Sequence, residues 1–297
     1  MIQLLALILA ANVGASQPKA ILPLRPYLKQ QETIDATIDG VHGTFLFDTG
    51  EGVSAIGSDF ARRIKCRPWG RITGFRMSGE RAGYPHCDNL VLAANGITVS
   101  LPSAITLDVG DLIGANAPHI DGAIGLDAFA GLAITIVPRG CIIVESRDSL
   151  AQRIISAQPL PIRIVRDAEG VALSVDGAVP TPDGIAWMEL DSGNGGSLVV
   201  GDHIAPLLGL KTDVASPEPY SFKLANGIVV SGPTRTRDLI MDGDIGARFL
   251  NDWNLTLDLA AGRAWLAPRG GCLVGFTKRR ESSRTVISSA TSSNVEP

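Results

Sequence analysis

Two short acidic turns carry the residues of this sequence whose types and spacing could do chemistry. The first turn is Asp48-Thr49-Gly50 and the second is Asp191-Ser192-Gly193. Each turn follows an apolar run, and a serine stands four residues after its glycine. Two carboxyl groups held within hydrogen-bond distance cannot both ionise cheaply, so they hold one proton between them and titrate as a unit. Such a pair offers a general base and a general acid to the same water molecule.

An internal repeat places the two turns in equivalent positions. Ser197 in the second copy corresponds to Ser54 in the first. Each copy continues into a second shared block, in which "AITIV" at 133–137 corresponds to "NLTLD" at 254–258. A repeat of about 100 residues per copy is too long for a solenoid unit and predicts two homologous lobes.

Short apolar runs between turn residues predict that the chain is all-β or mainly β. The sequence contains 33 Gly and 18 Pro but only 5% aromatic residues, which is typical of many strands joined by tight connections. Strands are predicted near 34–38 and 43–47, and a short helix is predicted after Ile124-Gly125. We expect the first lobe to span residues 20–155 and the second to span residues 159–276.

This pattern resembles the pepsin/retropepsin family of aspartic proteases in its single-chain, two-lobed, bacterial exported form. The family motif is an apolar strand, then Asp-Thr/Ser-Gly and a following Ser, with a later apolar-apolar-Gly before a short helix. Residues 45–54 with 123–125 match this motif in the first half, and residues 188–197 with 244–246 match it in the second. The resemblance covers roughly residues 20–275 and implies two homologous β-barrel lobes with pseudo-two-fold symmetry and short helices.

The resemblance also implies an activity, that of an aspartic endopeptidase that hydrolyses peptide bonds through an activated water. Asp48 and Asp191 would form the catalytic pair. Thr49 and Ser192 would lock the two loops together by hydroxyl-to-backbone hydrogen bonds, and the two loop glycines would bring backbone amides near the carboxylates. These glycines are Gly50 and Gly193. The chemistry needs no metal ion, cofactor or covalent intermediate, and the expected partner of the monomeric protein is a peptide or protein substrate.

Three residues near the motif depart from the family pattern or leave it open. Glu51 stands where the family usually has a small residue, and Asn194 stands at the equivalent place in the second half. Glu51 either points inward, where a third carboxylate would raise the proton affinity of the pair, or points outward as a solvated turn residue, which we favour. A substrate-covering hairpin is expected after Trp69, and Tyr84 in that region is either a covering aromatic or, as we favour, a packed or exposed tyrosine.

Two other classes of function compete with the protease. An exported two-lobed binding protein, or an inactive pseudoprotease, would keep the same cleft without turnover, since a fold does not determine a function. A structural surface domain would use the acidic turns only to connect strands. Replacing both Asp48 and Asp191 with Asn would leave the affinity of a binding protein for its ligand intact. The same replacement would abolish turnover by an enzyme.

Composition and motif spacing exclude several further classes. The formal charge of −4 and the absence of a basic run before the C-terminal "KRR" argue against a nucleic-acid partner. The four histidines are dispersed without the spacing of metal ligands, so no metal site is expected. Motifs for zinc proteases, α/β-hydrolases and phosphate-binding loops are absent from the sequence.

The N-terminal residues predict export. The apolar stretch 4–13 is too short to span a bilayer but suits a signal peptide of residues 1–15, with a buried first strand as the alternative. The protein is therefore expected in the periplasm or outside the cell, without a stable membrane span. The Ser/Thr-rich residues 277–297 predict a disordered tail.

Export would permit disulfides, and the even number of cysteines allows three pairings. Proximity in sequence favours Cys66 with Cys87, which leaves Cys141 with Cys272. Buried free thiols are the alternative.

Overall fold

A computed structural model describes residues 17–114 and 116–272, and its chain is folded mainly as β-strand. Among these residues the helices are few and short. The predicted mainly β fold with short helices is therefore confirmed. The predicted signal peptide (1–15) and the predicted disordered tail (277–297) lie outside the described residues.

The described strands and helices follow one another along the whole chain. In chain order, the strands are β1 (Ala20–Pro26), β2 (Glu32–Ile38), β3 (Val41–Phe47), β4 (Ala55–Ile56), β5 (Trp69–Phe75), β6 (Arg81–Ala94), β7 (Ile97–Thr106), β8 (Gly122–Ile124), β9 (Ala133–Val137), β10 (Cys141–Val144), β11 (Gln158–Leu160), β12 (Ile162–Val165), β13 (Ser174–Thr181), β14 (Gly184–Asp191), β15 (Leu198–Gly201), β16 (Glu218–Lys223), β17 (Val229–Arg237), β18 (Gly243–Gly246), β19 (Trp253–Asp258) and β20 (Arg263–Pro268). The α-helices are α1 (Ser58–Arg63), α2 (Val109–Ile113), α3 (Arg147–Arg153) and α4 (Ala247–Leu250). Short 3-10 helices cover Leu126–Phe129, Ile154–Ser156, Ala168–Gly170 and Ala205–Leu208.

The strands form two sheets whose membership does not follow the two halves of the sequence. The larger sheet has 13 strands in the order β11-β20-β19-β9-β10-β1-β2-β3-β8-β4-β7-β6-β5, and the smaller has seven in the order β12-β13-β14-β18-β15-β17-β16. Three strands of the second half therefore belong to the larger sheet, because β19 pairs antiparallel with β9. Thr135 and Thr256 face each other in this pairing, and their buried hydroxyl groups are 3.0 Å apart.

The strands that precede the acidic turns lie in the interior of the sheets. β3 pairs parallel with β8, and β14 pairs parallel with β18. A strand with neighbours on both sides and side chains buried on both faces reads as a continuous apolar run, as in the "FLF" of β3. Phe45 and Phe47 are buried, and each packs edge-on against a second phenylalanine. This packing fixes the strand end from which Asp48 projects.

Two disulfides join distant parts of the chain. Cys66 is bonded to Cys87, and Cys141 is bonded to Cys272, the pairing that proximity in sequence favours. Disulfides persist in oxidising compartments, so they indicate an exported protein. None of the helices in the described residues has the length and apolar character needed to cross a bilayer.

Candidate functional site

The two acidic turns meet and are joined by reciprocal hydrogen bonds. Thr49 Oγ1 donates to Leu190 O at 2.5 Å and accepts from Ser192 N at 2.9 Å. In the other direction, Ser192 Oγ accepts from Thr49 N at 3.0 Å and donates to Phe47 O at 3.3 Å. Since Thr49 is buried, these bonds are protected from water and hold the two turns in a fixed relative position.

Asp48 and Asp191 lie side by side at this junction, each against the turn of the opposite half. Gly50 N donates to Asp48 Oδ1 at 2.8 Å, and Gly193 N donates to Asp191 Oδ1 at 2.7 Å. Each glycine also packs against the carboxyl of the opposite half. A Cβ atom at Gly50 would lie 2.5 Å from Asp191 Cγ, and one at Gly193 would overlap the Asp48 carboxyl. Only glycine leaves room for this approach.

Burial raises the pKa of both carboxyl groups. The pKa of Asp48 is raised well above its usual value, first by burial and then by the negative charges of Asp191 and Glu51. Burial also raises the pKa of Asp191, although hydrogen bonds from the backbone of Asn194 and Gly193 oppose the rise. The two groups titrate as one unit and hold a proton above the pH at which an isolated aspartate loses it.

Glu51 is partly buried and lies close enough to Asp127 and the carboxyl pair to affect their charges, so the favoured prediction of an outward, solvated side chain was wrong. Burial, followed by the charges of Asp127 and Asp191, raises the pKa of Glu51 to about 8, while the charge of Arg76 lowers it. Asp127 itself is buried, and its pKa is raised to about 6 by burial. Ser54 donates to it through both its backbone N and its Oγ, at 2.9 and 2.7 Å. The sequence does not show which way Glu51 turns, because that depends on the distant hairpin and helix that surround it.

Two further acids of the second half face the site, and sequence reasoning missed them. Glu189 and Asp244 are buried and stand opposite each other in the β14–β18 pairing. The equivalent pair in the first half is Leu46 and Ala123, which face each other across β3 and β8. These two acids could have been found from the internal repeat, because it aligns them with two apolar residues of the first half. The pKa of Glu189 and of Asp244 is raised well above its usual value, mainly by burial and next by the charge of Asp191.

A β-hairpin made by β5 and β6 crosses from the first half to the second. It begins at Trp69, where the covering hairpin was expected. At its tip, Ile240 N donates to Met77 O at 3.0 Å, and the Ile240 side chain packs against Gly79. Tyr84 is partly buried within the hairpin, and its hydroxyl accepts from Arg76 Nη2 at 2.9 Å. The hairpin tip is therefore attached to both halves.

A small cavity of about 20 Å³ lies beneath the two turns. Its lining includes Thr49 and Ser192 together with Gln30, Glu32 and Asn251. Burial raises the pKa of Glu32 to about 7, although Arg139 N donates to its Oε1 at 2.7 Å. The rest of the lining is apolar, and these few polar groups with this volume suit a single bound water. Across residues 17–114 and 116–272, no group of three or more His, Cys, Asp or Glu side chains is arranged to hold a metal ion.

The chain was compared with known families, curated proteins and solved structures. No family model and no curated protein matches it. Basic 7S globulin from soybean matches with a TM-score of 0.55 at 12% identity, covering 85% of this chain and 95% of the globulin. Conglutin gamma, a basic 7S globulin from lupine seeds, matches with a TM-score of 0.54 at 10% identity, covering 86% of this chain and 96% of conglutin gamma. At these identities the likeness shows the fold alone.

These neighbours correct the identification suggested by the sequence motifs. Both are named as basic 7S globulins, and neither is named as an aspartic protease. The predicted membership of the pepsin/retropepsin family and the predicted endopeptidase activity are therefore wrong on this comparison, together with the description of the protein as a hydrolase or protease. The physical reason is that a pair of acidic turns on a two-sheet scaffold is a structural arrangement, and a scaffold of this kind serves more than one function.

Proposed function

We propose that the protein binds an extended peptide or protein segment between its two halves, with Asp48 and Asp191 contacting the bound segment. The observation that carries this proposal is the carboxyl pair at the junction of the two turns, in which Asp191 is buried, Asp48 is partly buried and the pKa of both is raised. The protein would act as a monomer in the periplasm or outside the cell, without a metal ion or cofactor. The proposal includes no nucleic-acid partner, because the net charge of the protein is −4.

The proposed cleft requires two homologous lobes, residues 20–155 and 159–276, related by a pseudo-two-fold axis that passes between the two aspartates. Hydrogen bonds between equivalent residues support this symmetry. Thr49 and Ser192, equivalent in the repeat and 143 residues apart, exchange bonds at the acidic turns. Thr135 and Thr256, equivalent in the second block and 121 residues apart, meet in the β9–β19 pairing.

The chemistry of the carboxyl pair suits binding to a peptide backbone. A protonated carboxyl donates a hydrogen bond to a peptide carbonyl, and its ionised neighbour accepts one from a peptide N–H. The raised pKa values of Asp48 and Asp191 favour retention of a proton by the pair, and the charge of Glu51 adds to the rise at Asp48. While the pair holds one proton, it therefore offers one hydrogen-bond donor and one acceptor to a peptide backbone.

The hairpin would control access to this pair. Because its tip is bonded to Ile240, a ligand would enter after that bond opens and would then be covered by the hairpin backbone. Extended peptides commonly bind along exposed strand backbone, where main-chain hydrogen bonds provide affinity. An extended polypeptide therefore suits both the carboxyl pair and the hairpin that would cover it.

The proposal is tested by incubating immobilised protein with a random library of twelve-residue peptides and identifying the retained peptides by mass spectrometry. Retained peptides should be intact. The Asp48→Asn/Asp191→Asn variant should bind them with affinity within a few-fold at pH 5, because Asn also donates hydrogen bonds, and should lose the pH dependence seen with the parent protein.

Three results would overturn the proposal. Retention no greater than on heat-unfolded protein would remove the binding function. Identical pH dependence in the parent and the double Asn variant would place the peptide elsewhere. Peptides cut by the parent protein but not by the Asp48→Asn variant would replace binding with turnover.

A further inference from the structure

The face of β14 and β18 that supports Asp191 differs chemically from its counterpart in the first half. Alternate residues of a strand share a face, so Glu189 and Asp191 project to the same side of β14. Asp244 stands opposite Glu189 in the parallel register. It replaces the apolar Ala123 of the first half. Asp191 therefore has a carboxylic neighbour on its own scaffold, whereas Asp48 has an apolar one.

The Asp244 carboxyl is deeply buried and incompletely satisfied. The residue is 1% exposed. Its Oδ2 accepts from Asn194 Nδ2 at 3.0 Å, while its Oδ1 has no donor among residues 17–114 and 116–272. Asn194 links this carboxyl to Asp191, because its backbone N donates to Asp191 Oδ1 at 3.1 Å, and the Asp244 side chain is among the groups that lower the pKa of Asp191. An ionised Asp244 would leave a buried charge with one bare oxygen, whereas a protonated Asp244 is able to donate a hydrogen bond to an ionised Asp191.

The charged groups around Asp244 oppose its ionisation. On β14 and at the first turn, the neighbouring acids Asp191, Glu189 and Asp48 all raise the pKa of Asp244, after burial, which is the largest cause. The other titratable groups around them include Glu51, whose charge raises the pKa of Asp48. They also include Asp176 on β13, which is paired with Arg163 at 2.9 Å, and Arg235 on β17, whose Nε donates to Ser197 Oγ at 2.6 Å. Both cations are thus engaged with other partners.

We propose that Asp244 is a positioning residue that keeps its proton and donates a hydrogen bond to Asp191, so that Asp191 carries the charge of the pair and Asp48 carries its proton. The backbone supports the same distribution. Asp191 Oδ1 accepts from the amides of Gly193 and Asn194, at 2.7 and 3.1 Å. Within the described residues, Asp48 accepts from one amide, that of Gly50.

The inference deepens the proposed function and, in its consequence for ligands, rests on it. If a peptide binds at the pair, Asp48 is the carboxyl that donates to its carbonyl oxygen. Asp191 is the one that accepts from an N–H group. The two halves of the site would then differ in polarity, which fixes the direction in which an extended chain lies across it.

The test is a pH titration of the folded protein labelled with ¹³C at the aspartate carboxyl carbons, followed by NMR without ligand. The Asp48→Asn and Asp191→Asn variants assign the signals of the pair. The comparison is between the parent protein, Asp244→Asn and Asp244→Ala. Asn keeps a hydrogen-bond donor at position 244, and Ala restores the residue that the first half has at the equivalent place.

If Asp244 is a protonated donor, the two variants should differ in the lower pKa of the pair. Asp244→Asn should leave the lower pKa of the pair nearly unchanged, and Asp244→Ala should raise it by about one, a tenfold change in the acid dissociation constant. If Asp244 is ionised, both variants remove a negative charge and the pKa falls in both. That fall, or an unchanged pKa in Asp244→Ala, would overturn the proposal.

The Asn variant decides the question even if the Ala variant does not fold, because only an ionised Asp244 makes Asn lower the pKa. The titration contains no peptide, so its failure leaves the binding proposal standing. Conversely, a failed peptide-library experiment does not alter the carboxyl titration.

Discussion

Each glycine of the acidic turns lies against the carboxyl of the opposite half. The two turns are able to approach this closely because neither glycine has a side chain. Gly50 contacts Asp191 and Gly193 contacts Asp48. Both turns are locked by hydrogen bonds between the halves. Since the packed turns cannot move apart without losing those bonds, a single added methyl group has to be accommodated by strain.

Gly50→Ala should therefore lower the free energy of unfolding by about 2 kcal/mol, the usual cost of overpacking. The added Cβ would lie 2.5 Å from Asp191 Cγ. Urea unfolding followed by circular dichroism measures the change. Gly131→Ala is the matched control, because a Cβ there meets nothing within 4 Å. Equal effects of the two substitutions would contradict the predicted contact.

The buried acids make stability depend on pH in a direction opposite to that of salt-bridged acids. The pKa of Glu32 is about 7 in the folded protein against an ordinary 4.5. Below pH 4.5 both states are protonated. Between 4.5 and 7 the unfolded state has lost its proton while the folded state keeps it, so stability falls as pH rises and levels off above 7.

Glu32→Gln removes this dependence at one position, since Gln is neutral in both states and still accepts from Arg139 N. The variant should gain up to about 2 kcal/mol relative to the parent between pH 4.5 and 7, allowing for solvent screening. Unfolding midpoints measured across this range check the gain. Glu218→Gln, on an exposed part of β16, is the control. A gain that is as large at pH 4 as at pH 7 would show that Glu32 has no raised pKa.

At the scale of elements, the sequence predicted what depends on local pattern and missed what depends on contacts between distant elements. The strands β2 and β3 and the 3-10 helix after Gly125 follow from apolar runs and turn residues close in sequence. The partial burial of Glu51 does not follow from the local sequence, because the hairpin and Asp127 that surround it come from elsewhere in the chain. The acids Glu189 and Asp244 could have been found from the repeat, but only by asking which apolar positions had become acidic.

The hairpin tip is a second feature that local pattern does not reveal, and its attachment can be tested by one substitution. Gly79 has φ +82°, and a Cβ there would lie 2.9 Å from Ile240 Cγ2. Gly79→Ala should detach the tip and accelerate hydrogen exchange of the Ile240 amide, which donates to Met77 O. Mass-spectrometric hydrogen exchange of the 238–242 segment measures this.

Gly96→Ala controls for backbone strain in this experiment. Gly96 has a similar φ of +92°, but a Cβ there meets nothing within 4 Å. It should leave exchange at Ile240 unchanged. Faster exchange in both variants, or in neither, would contradict a specific attachment of the tip to the second half.

At the scale of the whole molecule, the larger sheet makes the two halves dependent on each other. β9 lies in the first half but pairs with β19 of the second. The pairing buries Ile134 and Leu257, which are 0% exposed. Either half expressed alone would expose this apolar strand and its unpaired backbone groups, which favours aggregation.

We therefore expect residues 20–155 and 159–272 to be unfolded or aggregated when produced separately, and to recover native circular dichroism only when refolded together. The connecting residues provide the control, because Ile155 is 81% exposed and few contacts would be lost by cutting there. A protease site inserted at 155–157 and cleaved after folding should leave one cooperative unfolding transition, since the β9–β19 pairing still joins the halves. Two separate transitions in the cleaved protein, or a soluble folded half, would show that the lobes are independent and that the shared sheet adds little to stability.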